Sequence, residues 1–391
     1  MRFAFTEDQL GFRDAVRGLL AKECPPEVVR AAWPAGTDEQ GARPGDGARA
    51  EPEQLDRAWA ALADMGVVGI AVPEAQGGLG LSEVDWVLLA EEAGYAALPH
   101  PFVETACVAA PLLAVAGDPR RELPALVDGS RRAGVVPLLG ALPARTTDLR
   151  AASATPLPPS PEGALDAWVP WVEQVDSLLV LDLRPAEPAW TARYVDGATS
   201  ATGERGLDPG GRRGVAGGGH SIDRSRGLAP LRGARWGDVL ATGDGAALAF
   251  GRGALGTAAQ LVGLGRRMLD LTVGYVTERK QFGVPVGSQQ AVKHHLADAA
   301  LQLTFAAPAV YRAAWSLATG ADDASRDVSM AKALASDAAR LAGRQALQCH
   351  GAIGYTVEYD LHLYLKRAEV LARAWGSAAW HRNRVAVALG L

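Results

Sequence analysis

The chain has little cysteine and no excess of positive charge. Its 391 residues include only three cysteines, Cys24, Cys107 and Cys349, which are too few for a disulfide framework and lack the spacing of metal ligands. We therefore expect buried thiols in a reducing compartment and no metal site. A formal net charge of −5 provides no basic surface for phosphates, so nucleic acid is not an expected partner.

Segments that would enter or cross a membrane are also missing from the sequence. No stretch of about eighteen uninterrupted apolar residues occurs, and Glu7 and Asp8 interrupt the start of the chain, where a signal peptide would need an apolar run. These absences predict a cytoplasmic protein without membrane contact. Hydrophobic residues make up 48% and charged residues 21% of the chain, which is an ordinary balance for a globular protein with a few packed domains.

Helical periodicity marks both ends of the chain. Near the start, Thr6-Glu7-Asp8-Gln9 has the pattern of a capping box, and apolar residues from Leu55 to Met65 recur at helical spacing. After residue 245 the helical pattern returns in long segments with short connections, which is typical of an antiparallel bundle. These patterns predict an N-terminal helical domain over 1–105 and a C-terminal antiparallel four-helix bundle over 246–391.

The middle of the chain has a different pattern, with short β-prone runs between stretches rich in proline and glycine. Strands are predicted at 134–136, 177–181 and 190–194. Long surface loops are predicted at 152–163 and 196–219. A β-domain over 106–245, placed between two helical domains, makes the expected fold class α+β.

Three segments resemble a known family. The first reads Glu278-Arg279-Lys280-Gln281-Phe282-Gly283, followed by Gln289-Gln290-Ala291, and is similar to a segment of acyl-CoA dehydrogenases that contacts FAD. The second reads Gln348-Cys349-His350-Gly351-Ala352-Ile353-Gly354-Tyr355 and resembles another such segment. The third is similar to the family's N-terminal loop and reads Val72-Pro73-Glu74, then Gly77-Gly78-Leu79-Gly80. On these motifs the chain is identified as a member of the acyl-CoA dehydrogenase family over nearly its whole length.

The residue types in the two C-terminal motifs suit a dinucleotide diphosphate. Arg279 offers a bidentate fork to phosphate oxygens, and Gln290 and Gln348 offer amide donors to the pyrophosphate or the ribitol. Gly351 allows a close backbone approach where a helix ends, and Phe282 offers an apolar face to the adenine. A single arginine or glycine of this kind is more often a surface residue or a helix cap, so the prediction depends on both motifs occurring in order.

The reaction implied by the resemblance requires a carboxylate that this sequence does not provide. In the family, a glutamate removes the α-proton of an acyl thioester, the flavin accepts the β-hydride, and an electron-transfer flavoprotein takes the electrons. The usual position of the glutamate falls at Trp375, and the alternative position falls at about Gly253. Neither residue can accept a proton, so no catalytic residue is assigned.

Contacts to the flavin ring in the middle domain are changed as well. Where the family has a Thr-x-Glu-Pro-like turn, this chain has Pro137-Leu138-Leu139-Gly140, and a Trp-x-Thr element becomes Trp168-Val169-Pro170. Proline has neither an amide proton nor a hydroxyl to donate to the ring, whereas Trp168 remains to pack beside it. The predicted FAD contacts are Arg279, Gln281, Phe282, Gln290, Gln348, Gly351, Ala352 and Trp168.

The leading hypothesis is a base-lacking subunit of a heteromeric acyl-CoA dehydrogenase, in which a second subunit carries the glutamate and the two complete an FAD site in a heterotetramer. The substrate would be an acyl-CoA or an acyl-carrier thioester, and the electron acceptor an electron-transfer flavoprotein. Three alternatives stay open. They are a self-sufficient homotetramer whose base is an unrecognised acid such as Glu358 or Glu369, a flavin monooxygenase on the same fold, and a structural subunit without flavin.

Overall fold

The computed structural model describes residues 4–33, 52–140, 165–184, 189–196 and 221–391. Helices precede and follow a five-stranded sheet, which confirms the predicted α+β class. The loops predicted at 152–163 and 196–219 fall almost entirely outside the described ranges, so they stay predictions.

The N-terminal part of the chain is helical, as predicted. It contains α1 (Glu7–Glu23), α2 (Pro26–Ala31), α3 (Pro52–Asp64), a 3₁₀ turn (Glu74–Gln76) and α4 (Glu83–Tyr95). Helix α1 begins at the predicted capping box, in which the Thr6 hydroxyl accepts the Gln9 amide and the Gln9 side chain accepts the Thr6 amide. The local sequence is sufficient to start this helix because both free amides find partners within four residues.

Helices continue beyond residue 105, where the sequence pattern places the start of the β-domain. The additional elements are a π-helical turn (Val103–Ala109), α5 (Ala110–Ala116) and α6 (Leu123–Val127). The residues from 103 to 116 form an almost continuous apolar run, and periodicity cannot distinguish a buried helix from a buried strand in such a run. The first strand of the sheet begins at residue 133, beside the first predicted strand at 134–136.

The sheet contains β1 (Ala133–Leu139), β2 (Leu165–Pro170), β3 (Ser177–Leu183), β4 (Thr191–Asp196) and β5 (Leu228–Thr242), in the order β1-β3-β4-β5-β2. Strands β1 and β3 are parallel, and the other pairs are antiparallel. The predicted strands correspond to β1, β3 and β4, whereas β5 contains glycine and arginine without clear alternation and is not predicted by the pattern. Alternate residues separate two cores: Val135 and Leu179 face the helices, and Val136 and Val180 form a second core.

The C-terminal part consists of α7 (Asp244–Glu278), α8 (Gln290–Ala318), α9 (Ala324–His350), α10 (Leu361–Leu371) and α11 (Ala378–Ala388). A small hairpin of β6 (Lys280–Gln281) and β7 (Val284–Pro285), followed by a 3₁₀ turn (Val286–Ser288), joins α7 to α8. Another 3₁₀ turn (Gly351–Tyr355) follows α9. Helix α11 begins where the Ser377 hydroxyl accepts the Trp380 amide, which satisfies one free donor at its start.

Helix α7 crosses α4 with the two backbones in contact, because each helix has a glycine at the crossing. A Cβ built on Gly94 would lie less than 3.0 Å from the α7 backbone, and one on Gly263 less than 3.0 Å from the carbonyl oxygen of Glu91. An ion pair supports the same packing, since Arg252 donates to the buried carboxylate of Glu83 at 2.6 Å. These contacts fix the long α7 relative to the N-terminal helices.

The fold also bears on two expectations from composition. The three cysteines are free and buried, which confirms their interpretation as small apolar residues. Burial raises the pKa of the Cys24 thiol to about 12, so this group is protonated and unreactive at neutral pH. None of the helices in the described ranges combines the length and the apolar content needed to cross a bilayer.

Candidate functional site

The C-terminal residues predicted to contact FAD lie at one end of the helical bundle. The end of α7, the start of α8 and the end of α9 meet there, because consecutive long helices run in opposite directions over short connections. Ring contacts hold this end together: Tyr275 stacks on His350 with 4.4 Å between centroids, and Tyr359 packs on both rings at 5.8 and 4.7 Å. The two sequence motifs are therefore brought to one surface.

The hairpin between α7 and α8 exposes three of the predicted residues. Arg279 is the C-terminal cap of α7, and its carbonyl oxygen accepts the Val286 amide at 2.7 Å, while its side chain and that of Gln281 are exposed. Phe282 and Gly283 have φ values of 52° and 81°, as a two-residue type I′ turn requires. The Phe282 side chain is 96% exposed, so a phenyl ring stands at the tip of the hairpin where another molecule could cover it.

The remaining predicted residues of this end are also exposed. Gln290 is the first residue of α8, Gln348 lies in the last turn of α9, and Ala352 follows in the 3₁₀ turn. Gly351 ends α9 at φ 65°, and no atom lies within 4 Å of a Cβ built on it. Arg279 and Gln348 form no side-chain hydrogen bond within the part of the chain that the structure describes. Their donors are available to a ligand.

We call this region the bundle-end surface. It consists of Arg279, Gln281, Phe282, Gln290, Gln348, Gly351 and Ala352.

Trp168 lies elsewhere, at the edge of the sheet. Its two neighbours in β2 point into the second core, so its own side chain is on the helix-facing side, where it is 49% exposed. Pro170 of β2 lies on that same side, as do Pro137 and Leu139 of β1. Among these four rim residues only the Trp168 indole has a side-chain donor, so the rim offers a flavin ring an aromatic surface and little hydrogen bonding.

The two positions at which the resemblance places a catalytic glutamate are in direct contact. Trp375 follows α10, and its indole lies over Gly253 of α7, so a Cβ built on Gly253 would lie less than 3.0 Å from three atoms of the six-membered ring. The Trp375 side chain is 3% exposed, and its φ of 57° is an outlier for a bulky residue. An indole therefore occupies the place that either glutamate would need. We call this place the Trp375 site.

Two buried basic residues hold the turn that carries Trp375. Lys332 is 0% exposed and donates to three acceptors, including the carbonyl oxygens of Ala372 at 3.2 Å and Gly376 at 3.1 Å. Burial lowers the pKa of Lys332 to about 7. His381 donates from Nε2 to the Trp375 carbonyl oxygen at 2.8 Å, and burial, together with the nearby Lys332, lowers the pKa of His381 to about 3. This imidazole is neutral and too weak a base to remove an α-proton.

Neither Lys332 nor His381 is among the residues that the sequence suggests. Lys332 falls between apolar positions of α9, and a lysine on the buried face of an amphipathic helix is rare enough to mark it. His381 has no comparable signal, because it stands between Trp380 and Arg382 on a short helix whose pattern resembles a polar face.

Aromatic side chains close the space between the Trp375 site and the sheet. Phe250 packs against Trp190, Trp375 and Trp380, with centroid distances of 5.9, 6.1 and 5.5 Å. The Trp380 indole nitrogen donates to the carbonyl oxygen of Gly140, just after β1, at 3.3 Å. The resemblance places a flavin ring between the rim of the sheet and the base position. A direct hydrogen bond now joins those two sides.

FAD suits one of these two regions and not the other. The bundle-end surface has an arginine, three side-chain amides and an exposed aromatic ring, which together match a pyrophosphate and a nucleobase. The rim offers the ring a single side-chain donor, the Trp168 indole, and aromatic side chains fill the space at the Trp375 site. Gly253 and Arg279 stand at opposite parts of α7, about 39 Å apart at the helical rise of ~1.5 Å per residue, so the two regions are well separated within one chain.

Comparison with known proteins gives matches over most of the chain. A model of the acyl-CoA dehydrogenase N-terminal domain matches residues 6–130, and a model of the acyl-CoA dehydrogenase C-terminal domain matches residues 244–390. Acyl-CoA dehydrogenase IpdE2 of Mycobacterium tuberculosis is 30% identical over 364 residues, which cover 93% of this chain and 91% of that protein. Acyl-CoA dehydrogenase FadE34 of the same species is 30% identical over 341 residues, which cover 84% of this chain but only 42% of FadE34.

The fold agrees with solved structures. A chain of the ChsE4-ChsE5 complex from Mycobacterium tuberculosis superposes with a TM-score of 0.76 over 100% of this chain and 99% of that chain, at 22% sequence identity. At this identity the likeness describes the fold, including the order of helices, sheet and helical bundle.

Proposed function

We propose, since the chain belongs to the acyl-CoA dehydrogenase family, that it is the base-lacking subunit of a heteromeric acyl-CoA dehydrogenase. Members of this family are FAD-binding flavoproteins. In the proposed assembly, the bundle-end surface of this chain completes the FAD site of a second subunit, and that subunit carries the catalytic glutamate. The substrate is an acyl-CoA or an acyl-carrier thioester, and an electron-transfer flavoprotein takes the electrons.

The observation that carries this proposal is that the exposed donors of the bundle-end surface lie far from the Trp375 site, where an indole stands at the expected position of the glutamate. Arg279 and Gln348 have donors free for a ligand, whereas Trp375 covers Gly253 with an indole. Because about 39 Å of helix separates Gly253 from Arg279, the bundle-end surface is too far away to serve a flavin ring at the Trp375 site. A surface of this composition is useful only if a neighbouring subunit brings the dinucleotide to it.

The chain's own residues have defined tasks in this arrangement. Arg279 would hold phosphate oxygens, and Gln290 and Gln348 would donate amide protons to the pyrophosphate or the ribitol. Phe282 would cover the adenine, which would remove one face of its exposed ring from water. When bound, FAD supplies the hydride-accepting chemistry in the partner's site. This chain contributes binding and orientation only.

The alternatives receive less support from the geometry. A self-sufficient enzyme needs an acid beside Gly253. Glu369, one candidate, is instead engaged by Arg340, which donates a hydrogen bond to it at 3.1 Å. Glu358 is exposed beside Tyr359, at the bundle end. A monooxygenase would need a flavin ring against the rim of this chain, where Trp380 is bonded to the sheet. Within the described ranges no contact favours either activity.

Two of the comparisons agree with a paired arrangement. ChsE4 and ChsE5, whose structure resembles this fold, form a complex with each other. FadE34 is more than twice as long as the segment that matches this chain, which leaves room for a second unit of similar size. Both features support a search for a second acyl-CoA dehydrogenase-like chain that works together with this one.

The proposal is tested by measuring bound flavin with and without a partner. The chain is purified alone and after co-expression with the acyl-CoA dehydrogenase-like protein encoded beside it, and FAD is quantified by absorbance. We expect no FAD and no acyl-CoA oxidation with the chain alone, and one FAD for each pair of subunits with the partner. Stoichiometric FAD and ordinary dehydrogenase turnover in the chain alone would overturn the proposal.

Variants of the bundle-end surface identify its role within the complex. Arg279→Ala and Gln290→Ala should each weaken FAD retention by about 10- to 100-fold, since a hydrogen bond to a charged group is worth about 1.5–3 kcal/mol. Gln302→Ala is the matched control, because Gln302 is exposed on the same helix α8 outside the bundle-end surface. If all three variants retain FAD equally, the bundle-end surface does not contact the cofactor.

A further inference from the structure

Gly253 differs from the glycines at the crossing of α4 and α7 in the atoms that lie over it. At Gly94 and Gly263, a built Cβ would first meet backbone atoms of the crossing helix. At Gly253, the three nearest atoms all belong to the side-chain ring of Trp375. Glycine at position 253 is therefore needed to admit an indole and not to admit another helix.

The turn around Trp375 is held by groups that do not include the indole itself. Trp375 and Gly376 have φ values of 57° and 99°, a left-handed pair that a tryptophan adopts only when its surroundings enforce it. Lys332 fixes the turn by donating to the Gly376 carbonyl oxygen, and His381 by donating to the Trp375 carbonyl oxygen. Both bonds are made to backbone carbonyl oxygens, so neither uses the indole as a partner.

Trp86 has a different setting. Trp86 is likewise buried, at 0% exposure, but it lies within the regular helix α4, with no left-handed backbone and no buried lysine bonded to its turn. The backbone on both sides of Trp86 is continuous helix, so no turn frames its ring. The Trp375 site instead has a backbone floor at Gly253 and a hydrogen-bonded turn as its frame.

We propose that Trp375 acts as an internal ligand, whose indole fills a pre-formed pocket over Gly253 and excludes other molecules from it. The pocket takes a flat apolar molecule of indole size once the side chain is shortened, because the turn held by Lys332 and His381 keeps it open. Phe250, with its ring centroid 6.1 Å from that of Trp375, forms an aromatic wall. This inference is independent of whether the chain completes a partner's FAD site.

The first experiment uses indole as the probe. Trp375→Ala is titrated with indole, and binding is followed by calorimetry and by the thermal unfolding midpoint; wild type and Trp86→Ala are treated in the same way. We expect saturable binding only in Trp375→Ala, with a ~100-fold gain in the folding equilibrium constant when free indole reaches about 100 times its Kd. Equal binding by Trp86→Ala, or no binding by a folded Trp375→Ala, would overturn the inference.

A second experiment keeps an aromatic side chain at position 375, so it does not depend on the alanine variant folding. Gly253→Ala is introduced into wild type and into Trp375→Phe, which lacks the part of the indole that lies over Gly253. The substitution should lower the denaturant midpoint in wild type, because the new Cβ meets the ring, but should raise or preserve it in Trp375→Phe, because alanine favours a helix over glycine. The same loss in both backgrounds contradicts a pocket made for the indole.

Discussion

Replacement of Lys332 by methionine should change the pH dependence of stability in a defined direction. Lys332 is wholly buried and donates to Ser336, Ala372 and Gly376 at 3.1–3.2 Å. Methionine keeps most of the length of the side chain but removes the charge and all three donors. The substitution therefore removes the cost of burying an ammonium group and adds the cost of unpaired acceptors, about 1–3 kcal/mol for each acceptor that stays dry.

The sign of the pH dependence follows from the proton counts in the two states. Burial lowers the pKa of Lys332 from 10.5 in the unfolded chain to about 7 in the folded chain. Below pH 7 both states bind the proton, so Lys332 adds no pH dependence there. Between pH 7 and 10.5 only the unfolded chain binds the proton, so proton binding favours unfolding. The resulting loss of folding stability is largest at the low end of this window and becomes smaller as the pH rises. The contribution of Lys332 to the wild-type free energy of unfolding therefore rises with pH throughout this window.

The size of the effect follows from the same two values. Linkage makes the slope of the unfolding free energy proportional to the protons bound by the unfolded chain minus those bound by the folded chain, and one full proton corresponds to ~1.4 kcal/mol per pH unit. Since the unfolded chain holds the extra proton, the slope contributed by Lys332 has the sign of a gain in stability with rising pH. Across the window the gain is about 5 kcal/mol.

Urea unfolding followed by circular dichroism measures this effect. Wild type and Lys332→Met are compared from about pH 6 to about pH 10 at one protein concentration, because assembly also affects apparent stability. The free energy of unfolding of wild type should gain on that of the variant as the pH rises. Lys22→Met is the control, since the Lys22 side chain is 82% exposed. A difference between wild type and Lys332→Met that is constant or shrinks with pH would refute the reasoning.

Two further predictions concern packing and buried charge. Gly263→Ala should lower the free energy of unfolding by about 1–3 kcal/mol, because the new Cβ would lie less than 3.0 Å from the Glu91 oxygen. Gly274→Ala, on the exposed side of the same helix, should raise it by about 1 kcal/mol, and equal effects in calorimetry would contradict the crossing. Glu104→Gln should lower it by roughly 3–5 kcal/mol, since it removes the negative charge that lies 3.4 Å from the buried Arg226; a loss below about 1 kcal/mol in urea would argue against this pair.

Local signals were sufficient for much of the secondary structure and failed where the sequence lacked them. The helix capped by Thr6 could be predicted because its cap is made by residues within one turn. The helices over 103–127 could not, because their apolar residues show neither the helical nor the strand period. Strand β5 could not either, since it is stabilised by pairing with β2 and β4, which are distant in sequence.

The sequence by itself determined the family motifs, the residues predicted to contact FAD and the lack of a glutamate at positions 253 and 375. Only the tertiary structure decided that those two positions touch, that Trp375 covers Gly253, and that the bundle-end surface lies at the far end of α7. It also decided that Lys332 is buried against the turn after α10. The physical reason is that motifs and caps are local, whereas these contacts join residues far apart in the chain and exist only after α7, α9 and α10 have packed together.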